Sequence, residues 1–400
     1  MTSPIDSEIV VIGGGIAGAS TAYHLAAHGR QVTLLERGEI ASEASGVNMG
    51  GIDSYGFGEA PDLQAWLTAG SVEIFKDLQI EHGENIELRG SGGVQAIHTP
   101  EQWEYERERV ALYQKKGQVA ELLSIRDARG LEPELSPKLL GALYAPLRWN
   151  ADPRKATVAF ARVAARRGAR VLTNRAVTTI TPKGSGYTIG TAAGDVVAGS
   201  IVIAAGAWCA PIGRMLGLEI PIVPIRGQMW RTAATTPSVF HTISAAESPL
   251  AWSKDRGGQP PDLTHRDGTR VTRHLYGRQR RNGEIIFGGD REMLGETKTP
   301  NPVGVDTNRG HAIEVLPFLA NLPIAETWAG LMPFPLDGKP ICGRIEERDN
   351  LWIVTGLASS GFGRGPMLGK FLADHLHTGK PAPVLADADP AGRVVRRPEG

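Results

Sequence analysis

Three glycines, Gly13, Gly15 and Gly18, stand between a β-branched run at 9–12 and a small-residue helical stretch at 19–28. An acid, Glu36, closes the next apolar run, at 31–35. Strand, G-x-G-x-x-G, helix, strand and acid in that order form the fingerprint of a dinucleotide-binding unit. Each residue type has a physical task. Gly13 permits a tight turn, Gly15 lets backbone approach a pyrophosphate, and Gly18 lets helix and strand pack closely. The helix that starts at Ile16 and Ala17 turns its partial positive charge toward the phosphates. Glu36 can accept hydrogen bonds from a ribose diol. The chain then runs through Arg37 into a Ser/Gly-rich loop at 41–51 that includes Ser45, Gly46 and Met49. An NAD enzyme would pass directly into another strand and helix, so this loop suggests a second phosphate contact and a flavin.

The elements that must position these residues follow from composition and pattern. Four hundred residues suit two closely packed cores rather than one. With 41% hydrophobic and 22% charged residues the chain reads as globular. Lys+Arg 43 balances Asp+Glu 43, which argues against a nucleic-acid binder or a polybasic membrane anchor. Cys209 and Cys342 are too few for a disulfide scaffold and too far apart for a CxxC metal or redox pair. No apolar run reaches the length of a membrane span, and residues 1–6 lack the basic and apolar regions of a signal peptide. The expectation is a soluble cytoplasmic protein without a metal site. A helix is expected at 155–167, a strand at 176–180, and a buried strand at 201–208 ending in small residues. A charged helix at 101–117 should turn Trp103, Val110 and Tyr113 inward. Strands are expected at 270–276 and 284–287 around an Asn-Gly turn.

At this point the sequence resembles the D-amino acid oxidase-like flavoproteins, the family of glycine oxidase, monomeric sarcosine oxidase and D-amino acid dehydrogenases. The resemblance is carried by the 13–18 glycines, Glu36-Arg37 and Ala44-Ser45-Gly46. It continues through Ala204-Ala205-Gly206-Ala207-Trp208, Pro224-Ile225-Arg226-Gly227-Gln228, the 335–343 segment and Gly361-Phe362-Gly363. It implies an α/β fold: a Rossmann-like FAD-binding domain interleaved with a smaller α+β substrate domain on a mixed or antiparallel sheet. Residues 1–85, 145–220 and 325–380 would form the first, 86–144 and 221–324 the second, and 381–400 an extended or frayed tail. Non-covalent FAD would be held by the residues already named together with Val177, Ala205, Gly206, Trp208, Gly343, Gly361, Phe362, Gly363 and Arg364. Amides at 361–363 would face the flavin's pyrimidine edge, with Arg364 adding charge. A hydride would pass from the amine's Cα to the flavin, and the imine would hydrolyse. Tyr276 or His274 would orient the amine or carboxylate.

Departures from the family matter more. Glycine oxidase-like members clamp the substrate carboxylate with an arginine where this chain has Met332, and sarcosine oxidases use a lysine where it has Gly363. Either the substrate lacks a carboxylate there, or another cation serves, with Arg226, Arg273, His274 and Arg364 as candidates. Met332 near Trp328 and Phe334 predicts an apolar wall. The positions of covalent flavin attachment hold Asn48, Met49 and Gly330, and both cysteines read as small packed residues. His24 reads as a packing residue. The arginines at 266, 270, 273, 278, 280 and 281 with His265 and His274 make a local basic cluster with one solvated face expected. The reading is FAD-dependent oxidation of a C–N bond in an amino acid or secondary or N-alkyl amine, with O2 or a redox partner as acceptor. The alternatives are a flavin subunit of a larger amino-acid or opine-type dehydrogenase, and a non-catalytic flavin-binding protein. A homo- or hetero-oligomer is compatible with either.

Overall fold

The structure is a computed structural model that describes residues 5–53, 61–247, 250, 265–266, 269–270 and 274–397. Its sixteen principal strands form two sheets of eight. The first contains β1 (Ile5–Ile12), β2 (Val32–Leu35), β6 (Arg170–Leu172), β7 (Val177–Lys183), β8 (Gly186–Thr191), β9 (Val196–Ile203), β15 (Ile341–Arg344) and β16 (Leu351–Thr355). The second contains β3 (Gly93–Ile97), β4 (Glu121–Ser124), β5 (Gly141–Ala145), β10 (Ile222–Ala234), β11 (Thr242–Ala245), β12 (Tyr276–Gln279), β13 (Glu284–Glu292) and β14 (Ile324–Pro335).

The first sheet runs β15-β16-β9-β1-β2-β6, with β8 and β7 added beside β9. From β16 to β6 the pairing is parallel. A parallel strand is covered on both faces, which explains why Ile9, Val10 and Val11 form an unbroken apolar run and are wholly buried. Helix α1 (Ile16–Ala27) lies on this sheet. Two further helices pack on α1: α4 (Pro153–Arg166) and α6 (Gly361–Thr378). Because it is covered on several sides, α1 carries apolar and small residues all round instead of one stripe. Gly365 and Gly369 set the closeness of α6, since a methyl at 365 would lie 2.9 Å from Ile16 Cγ2 and one at 369 2.9 Å from Thr21 N.

The second sheet runs β14-β10-β13-β12-β11-β3-β5-β4. It is antiparallel except for β11 against β3, so it is mixed. Helix α5 (Pro302–Val315) covers one face, burying Trp230, Ile285 and Phe287. Helix α2 (Pro61–Ile80) packs on α6 in the first unit. Helix α3 (Pro100–Lys115) matches the expected charged helix, capped by Thr99 Oγ1, which accepts from Gln102 N at 3.2 Å. Its buried residues are Gln102, Glu106, Val110 and Tyr113, with Trp103 half-buried. The charged inner position is stabilised by Arg109, which pairs with Glu106 at 2.7 Å.

Three local expectations are corrected. Strand β14 is hydrogen-bonded along β10, so residues 324–335 belong to the second sheet. The segment after Gly379 is not frayed: Leu385, Ala388 and Val394 are buried, and Val395–Arg396 pairs with Leu218–Glu219. Arg393 fixes it by donating to Asp337, Pro340 O and Lys339 O. Arg278 lies within a strand instead of a turn, because the reversal is Arg280 to Gly283, with Gly283 at φ +87°. Residues 271–273 of the expected strand lie outside the described residues. No helix of the described residues is long and apolar enough to cross a membrane.

Candidate active site

A cavity of about 390 Å³ opens where the C-terminal ends of β1, β2 and β9 meet the second sheet. Ligands collect at this place in open parallel sheets. Gly13, Gly15, Ile16 and Ala17 line it beside the N-terminus of α1. Gly13 has φ +118°, and a side chain there would lie 2.8 Å from Ala204 C, so only bare backbone can form this turn. Gly18 does not line the cavity. A methyl on it would run into the Gly13 carbonyl, which is the packing duty its spacing predicts. Gly46 is similar, blocked by Ala41 O, whereas Ser45 reaches the cavity and accepts from Ile16 N at 2.9 Å.

Glu36 is fixed at the end of β2. Its carboxylate accepts from Gly14 N at 2.6 Å and from Gly38 N at 2.8 Å. Arg37 stacks on Trp208, its guanidinium carbon 3.6 Å from the ring centroid, and Trp208 Nε1 donates to Glu296. Both line the cavity, as do Val177, Ala205 and Gly206. Several lining residues carry no motif. Glu43 and Asn48 belong to the Ser/Gly-rich loop, but Arg175, Pro211, Met215 and Thr355 arrive through tertiary contact, so only the fold reveals them.

At the other end the wall is made by 356–359, Gly361 and Phe362, at the N-terminus of α6. Two helix N-termini therefore open on one cavity, one near Gly15 and one near Gly361, each favouring negative charge. Gly363 is turned to Ile52, and Gly343 packs on Pro390, so neither lines the cavity. Met49 is also off the wall, where its carbonyl accepts from Arg278 Nε at 2.6 Å and Asn48 takes the cavity position. Arg278 further donates to Ala151 O, and burial pushes its guanidinium down to about 9. The expected basic cluster is thus divided. Arg278 ties backbone together, Arg280 pairs with Glu284 at 3.0 Å, and Arg273 lies outside the described residues.

Of the expected substrate residues, Tyr276 and Met332 line the cavity, with Leu331 and Pro333 extending an apolar strand wall. Arg364 does not reach it. It is buried between α6 and α2, bonded to Gln64 and Thr68 Oγ1, and burial lowers its pKa to about 10. Arg226 is buried too, paired with Glu292 and donating to Thr299 O at 2.7 Å. His274 sits behind Tyr276, ring centroids 5.5 Å apart. Its Nε2 accepts from Arg291 Nη2 at 2.6 Å, an interaction that requires the neutral ring. Burial, then the Arg291 charge, holds His274 well below its usual pKa, so it supplies no cation. Burial raises the Tyr276 hydroxyl, opposed by Arg291. Cys209 and Cys342 are buried in the cores, as expected of packed thiols. Among the described residues no group of three or more His, Cys, Asp or Glu is placed to hold a metal ion.

A parallel nucleotide-binding sheet, two helix N-termini on one long cavity, and a second sheet closing its far end define a dinucleotide-dependent redox protein. Residues 8–375 match the family of FAD dependent oxidoreductases, and the chain belongs to that family. It is 28% identical to a glycine oxidase of Pseudomonas putida over 98% of this chain and 100% of that one. It is also 28% identical to the mitochondrial dimethylglycine dehydrogenase of Mus musculus, covering 96% of this chain and 44% of that protein. Among solved structures, L-proline dehydrogenase from P. horikoshii superposes with a TM-score of 0.82 at 27% identity, covering 96% of each chain. The bare turn at Gly13, the fixed Glu36 carboxylate and the paired helix termini suit the pyrophosphate and ribose of FAD.

Proposed function

We propose that this chain oxidises the C–N bond of an amino acid or an N-alkyl amine, using non-covalently bound FAD. The observation that carries the reading is the continuity of one cavity, from the Gly13–Glu36 nucleotide end to Tyr276 and Met332 on the second sheet. The relatives named above, a glycine oxidase, a dimethylglycine dehydrogenase and an L-proline dehydrogenase, are named for substrates that all contain a C–N bond. Bound FAD supplies an acceptor for the hydride from the carbon attached to nitrogen. The protein's part is to hold and to exclude. The α1 N-terminus, Ser45 and Glu36 would hold the pyrophosphate and ribose. The amides at the start of α6 would face the end of the ring where negative charge grows. Tyr276 would orient the substrate, and Leu331, Met332 and Pro333 would keep water from its apolar side.

The test is addition of amines to the FAD-loaded protein without oxygen, following the visible flavin absorbance. The panel is glycine, sarcosine, proline, D- and L-amino acids and amines without a carboxylate. Bleaching by at least one, with stoichiometric imine or carbonyl product, is expected. A fully loaded protein that no amine bleaches would refute the reading.

A further inference from the structure

One turn of the cofactor wall is held by side chains that come from the second sheet. Residues 44–47 make a single helical turn, and Ala44, Ser45 and Asn48 line the cavity. Ser45 ties this turn to the N-terminus of α1. Asn48 uses its side chain inside the turn, where its amide nitrogen donates to Ala44 O at 2.9 Å and its amide oxygen accepts from Gly50 N at 2.7 Å. The chain then bends at Gly50, whose φ is +81°, and Gly51–Ile52 pairs with Trp149–Asn150. From the far wall, β12 and β14 each send a donor to this turn.

On β12 the pairing with β13 is regular from Tyr276 to Gln279, so Tyr276 and Arg278 share a face. Tyr276 reaches the cavity. Arg278 reaches the turn, donating from Nε to Met49 O at 2.6 Å and from Nη2 to Ala151 O at 3.0 Å. Those carbonyls flank the two sides of the small 51–52 and 149–150 ladder. A planar guanidinium spans them, where a lysine ammonium would act as a single point. Arg278 is 2% exposed, and burying its charge is costly unless such hydrogen bonds offset it. On β14, Trp328, Gly330 and Met332 alternate onto one face. Trp328 Nε1 donates to Val47 O at 2.7 Å, and a methyl on Gly330 would lie 2.7 Å from Val47 Cγ2. Met332 reaches the cavity. Each strand therefore directs one side chain to the cavity and another to the turn, and the two carbonyls that are held, Val47 and Met49, flank Asn48.

We infer that Arg278 and Trp328 are positioning residues for flavin reduction: by holding the Met49 and Val47 carbonyls they set the gap between the cofactor wall at Ala44, Ser45 and Asn48 and the substrate wall at Tyr276 and Met332. This rests on the C–N oxidation reading for the reaction that takes place in the gap, but not for the gap itself. Transfer between two bound partners is steep in distance and angle, and a displacement of about 1 Å costs up to about 100-fold in rate. Arg278 and Trp328 stand behind the cavity wall rather than on it. Their loss therefore slows the step and leaves the affinity for substrate nearly unchanged.

The experiment uses the FAD-loaded protein and two readouts. The first is stopped-flow reduction of the flavin without oxygen, by whichever amine of the panel bleaches wild type fastest. Its dependence on amine concentration separates the limiting rate from the dissociation constant. R278M should lower the limiting rate about 10- to 100-fold, with the dissociation constant within about threefold of wild type. R278K, which keeps the charge but not the fork, should fall between them. W328F, which keeps the ring but not the donor, should lower the limiting rate about 3- to 30-fold. In R278M/W328F the losses should not multiply, because both residues hold one turn. R280M removes a charge at the outer end of the same hairpin and should reduce at the wild-type rate. The second readout is the visible circular dichroism of the bound flavin, which reports the asymmetry of its surroundings without turnover and should change in R278M and W328F alike. Should R278M fail to take up FAD, R278K and W328F still decide the matter. Wild-type limiting rates with unaltered dichroism in R278K and W328F overturn the proposal, as does a loss confined to the dissociation constant. Losses that multiply fully in the double variant overturn the shared turn. Altered dichroism in the variants, with no amine bleaching wild type, would leave the held turn standing and sink C–N oxidation.

Discussion

Replacing Glu36 tests the nucleotide end most directly. Its two carboxylate oxygens each hold one backbone N–H, from Gly14 at 2.6 Å and Gly38 at 2.8 Å, and the same group faces the cavity where a ribose diol would lie. A charge-assisted hydrogen bond contributes about 1.5–3 kcal/mol. Glu36→Gln keeps the shape but presents an NH2 to one of those N–H groups and removes the charge that a ribose hydroxyl would meet. At about 1.4 kcal/mol per tenfold, losing the ribose contact weakens FAD binding roughly 10- to 100-fold. The assay is titration of flavin-free protein with FAD, following quenching of flavin fluorescence. FMN, which lacks the adenosine, is the control. It should bind Glu36→Gln and wild type alike, because the lost contact is to the adenosine ribose. A Kd for FAD within about twofold of wild type would refute the reasoning. An equal loss with FMN would show that the substitution had deformed the Gly13 turn instead.

Gly369→Ala places a methyl 2.9 Å from Thr21 N, so α6 must lift from α1; destabilisation of about 1–3 kcal/mol and easier loss of FAD are expected, read by melting temperature and flavin retention on gel filtration. His24 is buried beside Tyr23 with its pKa lowered to about 3, chiefly by desolvation, against 6.5 for an ordinary histidine. The unfolded chain then binds the extra proton between those values, so stability is full above pH 6.5 and falls as pH drops toward 3, by up to about 1.4 kcal/mol per pH unit. His24→Leu should flatten that slope in acid melting curves. Burial pushes the Cys209 thiol up to about 12 and raises Cys342 as well. Neither should react with a thiol reagent at neutral pH until the protein is unfolded, and prompt labelling of the native protein would contradict the packing.

The nucleotide end was legible in the sequence because its determinants are local. The strand, the Gly13–Gly18 turn, the helix and Glu36 follow one another within a single βαβ unit. The two-sheet architecture was legible only through resemblance to a family, since a strand such as β14 carries no sign of which sheet it joins until β10 is placed beside it. The substrate end depends on register between strands, and there local reading reached its limit. Arg364 and Arg226, which look available in the sequence, are held by Gln64 and Glu292. The tail resembled a frayed end by composition. A few anchors, Leu385, Ala388 and Val394, decide otherwise.

The interleaving of the first sheet also constrains how the protein is made. Strand β1 pairs with β2 and β9, and β9 pairs in turn with β16, at residues 351–355. Helix α6, which covers α1 and supplies the second N-terminus of the cavity, is later still, ending at Thr378. A nascent chain emerging from the ribosome therefore carries its phosphate turn long before anything can close over it. The early strands wait, unpaired on one side, for partners not yet translated, and such edges favour association with other chains. Capture of FAD belongs to the final stage of folding, so cofactor supply at that moment should decide how much newly made chain becomes holoprotein and how much is lost to aggregation or proteolysis.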